Sequence, residues 1–317
     1  MKLSFDADLS GVHIFAQGKE LASIMGQDTK QGKRIYEWPD TEEEYITTFF
    51  HPVLITDNYK IGQLRPNLRD TIFALFASGV RHTEYDGMSF TFDQAKYPGL
   101  WGPTIDTLLF VRALRKINFA KVKRAAEIGA GSGFISKYIL KKNPQIESIT
   151  LIDINRHAFD CWTHEITDPR AKFHIGNGIE FLEGKKYDLV VCNPPYIPRP
   201  SSIDDNPYEG VGLLSYLIQN ALQILNPGGS LVLNISELCQ PEFDYALSKL
   251  RSKASNMPTG IENNRELDSM KVPLKVFNVL NNKAWMHYLS ERGLRSENRD
   301  GYEYWHKLTM YQITIPS

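Results

Sequence analysis

Residues 188–196 read Asp-Leu-Val-Val-Cys-Asn-Pro-Pro-Tyr, and the last four have the chemistry to grip an amine. Proline lacks an N–H and has a fixed φ. The residue before a proline is driven toward extended backbone. Asn193 and Pro194 both precede prolines, so both belong to a stiff, extended stretch. Asn193 offers a side-chain carbonyl and Pro194 a main-chain carbonyl. Two acceptors held this way receive both hydrogens of one NH2 group, and Tyr196 can lie flat against the plane that carries it. Asn193, Pro194, Pro195 and Tyr196 are therefore the candidate catalytic group, a clamp for an amide or aryl amine. The plain structural alternative is a strand end followed by a proline turn.

Upstream, Ala125–Gly133 reads Ala-Ala-Glu-Ile-Gly-Ala-Gly-Ser-Gly. A short apolar strand runs into a glycine loop, and Phe134–Leu140 has helical spacing. Glycines let backbone approach a ligand closely, and a helix start supplies free N–H groups. A second apolar run, Ser148–Asp153, ends in an acid 20 residues after Gly133. That spacing suits a carboxylate accepting bonds from ribose hydroxyls. The dinucleotide fingerprint is G-x-G-x-x-G, whereas here the third glycine comes one residue early and position 134 is Phe. A nicotinamide cofactor would also have no use for an amine clamp.

These residues need a frame. From Val122 onward, strands ending at Ile128, Asp153, Ile175 and Cys192 alternate with helices, Leu213–Leu225 among them, and a fifth strand spans Ser230–Ile235 after Pro227-Gly228-Gly229. The alternation predicts an α/β fold with a doubly wound, parallel Rossmann-like sheet. Ligands bind at the carboxyl ends of such strands. Glu127, Asp153, Asn177 and Asn193 all fall at or just after those ends, on one rim. Residues 253–272 read as a polar loop, Val272–Leu280 as a strand, Lys283–Arg292 as a helix and Thr309–Ile315 as a last strand. Tyr302, Tyr304, Trp305 and His306 form an aromatic cluster ahead of it, as sheet packing or a substrate wall.

The N-terminal part lacks the alternation. Gly18-Lys19 and Asp28–Lys33 look like loops, Pro66–Ser78 like a helix, and Val80–Tyr85 with Met88–Phe92 like a hairpin turned at Asp86-Gly87. Thr104–Ile117 reads as a helix capped by Thr104. Two domains are expected: a mixed, partly helical accessory domain at 1–95 and a catalytic domain at 96–317.

With 317 residues, 42% hydrophobic and 23% charged, the chain has an ordinary globular composition. No apolar run is long enough for a membrane span, and the N-terminus lacks an apolar signal core. Cys161, Cys192 and Cys239 suit neither a disulfide framework nor a zinc site, and a cytoplasmic setting is expected. Net charge is −1, and residues 1–100 carry 10 Lys and Arg against 14 Asp and Glu. Phosphate binding would favour the opposite sign.

Glu127–Gly133 resembles motif I of the class I S-adenosylmethionine methyltransferases. From about Phe90 to Ile235 the chain resembles the glutamine-specific protein N-methyltransferases that modify release factors and a ribosomal protein. Gly102–Thr107, Tyr187–Pro198 and Leu225–Gly229 carry this likeness together with the glycine loop. The resemblance implies S-adenosylmethionine as cofactor, with no metal. It points to Thr107, Glu127, Gly129, Ala130, Gly131, Gly133, Asp153, Ile154, Asn177, Gly178 and Asn193 as its binding residues. Three positions depart: Asn177 replaces an acid, Val211 stands where the family has one, and strand five ends Asn234-Ile235-Ser236 in place of Glu-Ile-Gly. The expected acceptor is a protein glutamine side chain in a release-factor-like or ribosomal protein. The alternatives are an exocyclic amine of RNA or DNA, which would have to be flipped out of its stack, or a small-molecule amine.

Overall fold

The structure is a computed structural model. It describes strand backbone at 3–8, 11–16, 19–37 and 44–54, and residues 80–93, 96–97, 100–202, 210–254, 263–274, 279, 282–299 and 302–316. The chain divides into two compact units. One comprises Met1–Pro103, Pro273–Ser290 and Arg295–Trp305; the other comprises Thr104–Val272, Glu291–Leu294 and His306–Ser317.

The first unit carries an antiparallel meander in chain order: β1 (Leu3–Asp8), β2 (Gly11–Ala16), β3 (Lys19–Glu37), β4 (Glu44–Leu54), β5 (Val80–Tyr85) and β6 (Met88–Asp93). The hairpin between β5 and β6 turns at Asp86 and Gly87, with φ of 50° and 68°, as the Asp-Gly pair predicts. Along β6, Met88, Phe90 and Phe92 are buried while Ser89 and Thr91 are exposed, the alternation of a strand with one face on a core. Asp28–Lys33, expected as a loop, is strand: from Thr29 its residues pair with Pro52–Thr48 of β4. Cross-strand pairing overrides the weak strand preference of its polar residues. The helix expected at Pro66–Ser78 lies outside the described residues, as does Gly18.

The second unit is built on β7 (Arg124–Ile128), β8 (Ser148–Asp153), β9 (Ala171–Ile175), β10 (Tyr187–Cys192), β11 (Leu225–Ser236), β12 (Asn263–Pro273) and, from His306 onward, β14 (Tyr302–Thr314). Their order across the sheet is β12-β14-β11-β10-β7-β8-β9, with β13 (Ser296–Arg299) pairing off the path with β14. The pairs from β9 through β8, β7 and β10 to β11 are parallel, and β14 is antiparallel to β11. Helices fall between the strands: α1 (Ile105–Leu114), α2 (Phe134–Lys142), α3 (His157–Glu165), α4 (Gly178–Leu182), α5 (Gly212–Gln219), α6 (Ala221–Ile224) and α7 (Gln240–Ala254); α8 (Lys283–Glu291) comes later. This is the doubly wound α/β fold the sequence predicts. The chain builds outward from β7 to β8 and β9, then returns to lay β10 on the other flank of β7. The boundary between β7 and β10 is thus the topological switch point, where such sheets open a crevice.

The central strands are largely apolar because they are buried on both faces. Ala125, Ala126, Leu189, Val190, Val191 and Cys192 have no exposed surface. Two tail expectations fail, and the expected last strand proves longer than its apolar part. Residues 263–273, which include the second half of the expected polar loop, form β12, and the strand expected at Val272–Leu280 ends at Pro273 in its described part. The last strand begins at Tyr302, so the aromatic cluster lies within it. The helix expected over Leu213–Leu225 breaks at Asn220, whose Nδ2 donates to Tyr216 O at 2.9 Å, and Leu225 already belongs to β11.

Polar β12 is held by pairing and by charge. Arg112 of α1 donates through Nε and Nη2 to Asp268 at 2.6 and 2.7 Å, with only 9% and 13% of the side chains exposed. Removing one partner strands a buried charge. Asp268→Ala should therefore cost about 3–5 kcal/mol in urea unfolding, while replacing both residues by apolar ones of similar volume should cost far less. Equal losses in the single and double variants would contradict this.

Candidate active site

The glycine loop leaves β7 and the Asn-Pro-Pro-Tyr segment leaves β10, and these strands are neighbours in register, with Cys192 beside Ile128. Both motifs therefore start from one point on the rim, at the switch point.

The loop is held from several sides. Gly131 donates its N–H to Asp153 Oδ2 at 2.8 Å, and its carbonyl accepts from the buried Trp162 Nε1 at 2.8 Å. Ala130 N donates to Ile152 O at 3.0 Å. Gly133 caps α2 with a φ of 81°, and a Cβ there would lie 2.8 Å from both Leu151 and Trp162. No other residue fits that position. Gly178 is needed for a different reason, since a Cβ there would lie 2.6 Å from Ile128 Cγ2. Over Gly129 there is open space: a Cβ would meet nothing within 4 Å.

Three acids or amides expected to line the site stand at strand ends. Asp153 closes β8, and its other oxygen accepts from Asn155 N at 2.8 Å. Burial raises its pKa, against the pull of these backbone bonds. Ile154 beside it is exposed. Asn177 is exposed and uses Oδ1 to cap α4 through Ile179 N at 2.9 Å. Glu127 is buried, and its Oε2 accepts from Ser136 N at 2.8 Å and Ser136 Oγ at 2.5 Å. Burial pushes its pKa from 4.5 to about 8, the Ser136 bonds opposing and the Asp153 charge adding. Thr107 of α1 is buried, and its Oγ1 accepts from Thr104 N at 3.3 Å, a helix-capping contact.

Around Asn193 the structure adds two residues that the sequence reading missed. Asn193 Nδ2 donates to Asp106 Oδ2 at 3.1 Å, and Asn193 Oδ1 accepts from Asn234 Nδ2. Tyr196 Oη donates to the same Asp106 oxygen at 3.5 Å, and Thr104 Oγ1 donates to Asp106 Oδ1. Burial, then the Asp106 charge, raises the Tyr196 pKa well above 10, which keeps it a phenol. The Tyr196 ring lies 5.8 Å from the His306 ring, tilted by 37°. His306 is buried, shares a 2.9 Å hydrogen bond with Ser236 Oγ, and has a pKa lowered by burial to about 4, so it is neutral. Pro194 is buried and Pro195 half-buried beside this group. Asp106 and Asn234 lie 87 and 41 residues from Asn193, so no local pattern links them. The available signals were the position of Asp106 in the first turn of a Thr-capped helix and that of Asn234 at the end of the strand flanking β10.

Residues 104–255 match the family described as "Methyltransferase small domain". This part of the chain is thus similar to methyltransferase domains, and its sheet order is the one expected of the class I, S-adenosylmethionine-dependent type. Within that class it resembles the release-factor glutamine methyltransferases. A "Release factor glutamine methyltransferase" of Xylella fastidiosa is 31% identical over 141 residues, covering 39% of this chain and 51% of the relative. A "Ribosomal RNA large subunit methyltransferase G" of Magnetococcus marinus is 27% identical over 112 residues, covering 34% and 28%. Among solved structures, a tRNA m1G37 methyltransferase of M. jannaschii has a TM-score of 0.45 at 16% identity, over 76% of this chain and 58% of that one. The chain spans about half the length of the first curated relatives it matches.

The residues present suit that cofactor: the glycine loop is backbone-lined and open above Gly129, Asp153 stands at the neighbouring strand end, and Ile154 offers an apolar face beside it.

The raised Glu127 pKa makes folding pH-dependent. Between 4.5 and about 8 the folded protein keeps a proton that the unfolded chain releases. Stability therefore falls as pH rises through that window and levels off above it. Glu127→Gln should flatten the decline, which is on the order of a few kcal/mol in wild type. Urea unfolding of both proteins at matched pH values checks this; parallel pH profiles would contradict it.

Proposed function

We propose that the chain is an N-methyltransferase whose acceptor is the side-chain amide of a protein glutamine. The observation that carries the reading is Asn193 emerging beside the glycine loop, with its amide oriented by a carboxylate. Relatives named as release factor glutamine methyltransferases, 31% and 33% identical over 141 and 101 residues, support it.

Gly129, Ala130, Gly131, Gly133, Asp153 and Ile154 would hold the cofactor, with Thr107, Glu127, Asn177 and Gly178 around them. Bound S-adenosylmethionine supplies an electrophilic methyl on a sulfonium. Asn193 Oδ1 and the Pro194 carbonyl accept both N–H hydrogens of the target. They draw its nitrogen toward tetrahedral geometry and aim its lone pair. These bonds strengthen as positive charge develops on nitrogen, which favours the transition state over the ground state. Asn193 Oδ1 has two lone pairs, so accepting from Asn234 leaves one for the target. Tyr196 covers the face of the amide plane.

The same clamp suits an exocyclic base amine, and the ribosomal RNA methyltransferase relative favours that second reading. The acidic balance of residues 1–100 weighs against it. Residues 1–95 are proposed as a substrate-recognition domain ahead of a catalytic domain at 96–317, working in the reducing cytoplasm.

Two measurements address the site. Asp153→Ala should weaken calorimetric binding of S-adenosylhomocysteine about tenfold or more; unchanged affinity would remove Asp153 from the cofactor site. Asn193→Ala should leave that affinity nearly unchanged while turnover on a glutamine peptide falls about 10²–10³-fold, with Asn193→Asp milder. A lowered Tm with intact turnover in the folded fraction would instead mark Asn193 as structural. Deleting residues 1–95 should preserve cofactor binding and abolish transfer to the native acceptor; retained transfer would end their recognition role.

A further inference from the structure

We infer that Asp106 and Asn234 are positioning residues that lock the Asn193 amide, and through Asp106 also Tyr196, in the only orientation in which the clamp can accept. The inference rests on the amine-clamp reading above. An asparagine amide has two ends of nearly equal shape and opposite polarity. With its carbonyl forward, Asn193 accepts from a target NH2; turned over, it would present its own NH2 and repel that target. Nothing within the Asn-Pro-Pro-Tyr segment decides between the two, because prolines restrict backbone and leave the amide torsion free.

The neighbours decide it, and they agree. On one side stands Asp106, whose carboxylate accepts from Asn193 Nδ2 at 3.1 Å. On the other, Asn234 donates its NH2 to Asn193 Oδ1. Turning the Asn193 amide over would set its oxygen against the Asp106 carboxylate and its NH2 against the Asn234 NH2. Both bonds would become repulsions. Asn234 has no exposed surface and leaves its own Oδ1 buried without a partner among the described residues. A buried unpaired acceptor is costly, so its orientation is dictated by what its NH2 does for Asn193. Asp106 in turn is steadied by Thr104 Oγ1 on its other oxygen and sits in the first turn of α1, where a negative charge is favourable. The oxygen that receives Asn193 also receives Tyr196 Oη, so one carboxylate sets both polar side chains of the clamp. The charge polarises the Asn193 amide as well, making Oδ1 a stronger acceptor.

The test uses the full chain, with a readout that needs no catalysis. In the 15N-labelled protein, the Asn193 side-chain NH2 signal is assigned by its loss in Asn193→Asp, and its hydrogen exchange is measured. Asp106→Ala should speed that exchange about tenfold or more while Tm and S-adenosylhomocysteine affinity stay near wild type, and Asp106→Asn, which keeps an acceptor, should restore much of the protection. Turnover on a glutamine peptide should fall with kcat more than with KM, and Asp106→Ala should cost clearly less in an Asn193→Ala background than alone, only the share carried by Tyr196 remaining. Unchanged exchange of the Asn193 NH2 in both Asp106 variants would overturn the inference, as would losses that multiply in the double variant. Should the glutamine reading itself fail, no variant transfers methyl to the peptide, yet the exchange comparison still reports whether Asp106 holds Asn193.

Discussion

The parallel pairing of β7 with β10 is the constraint on which the site depends. Cys192 lies beside Ile128, so the glycine loop and the proline segment begin at one height on the rim. Both strands are buried on both faces, and a slip of one residue would turn every side chain to the opposite face. Register is thus enforced by the whole central core, and the placement of two short motifs against each other inherits that stiffness. The loop is then fixed in detail by Trp162 and Asp153, and the amide of Asn193 by Asp106 and Asn234. A site built this way presents its polar groups already oriented, which is where most of the value of such groups in catalysis comes from.

Burial also sets the charge state of the surroundings. Glu127, Asp153, Cys192 and Tyr196 are all shifted upward chiefly by loss of water, and His306 downward. Tyr196 therefore remains a donor and His306 a neutral ring behind it.

Much of this was legible in the sequence. The four strand ends at Ile128, Asp153, Ile175 and Cys192 stand where apolar runs give way to Gly, Asp or Asn. Central strands covered on both faces announce themselves by continuous hydrophobicity. Strand β12 did not, because Asn263–Pro273 is polar and owes its extended form to β14 and to the Arg112–Asp268 pair. Asn220 breaks a segment whose apolar spacing is helical throughout, and only the chain's turn into β11 explains the break. Asp106 and Asn234 were invisible for the same reason: a carboxylate and an amide acquire their role from partners that the fold brings from far along the chain. Local pattern identifies what a segment can do; contacts between distant segments decide which way its side chains face.

The central claim is that the clamp receives an amide nitrogen of a protein. Incubating the purified chain with methyl-labelled S-adenosylmethionine and separated protein and RNA fractions tests it most directly, with the label then located by mass spectrometry. The account predicts label in the protein fraction, resistant to ribonuclease and carried on a glutamine side-chain nitrogen. Label confined to the RNA fraction, or placed on any protein atom other than an amide nitrogen, would contradict it.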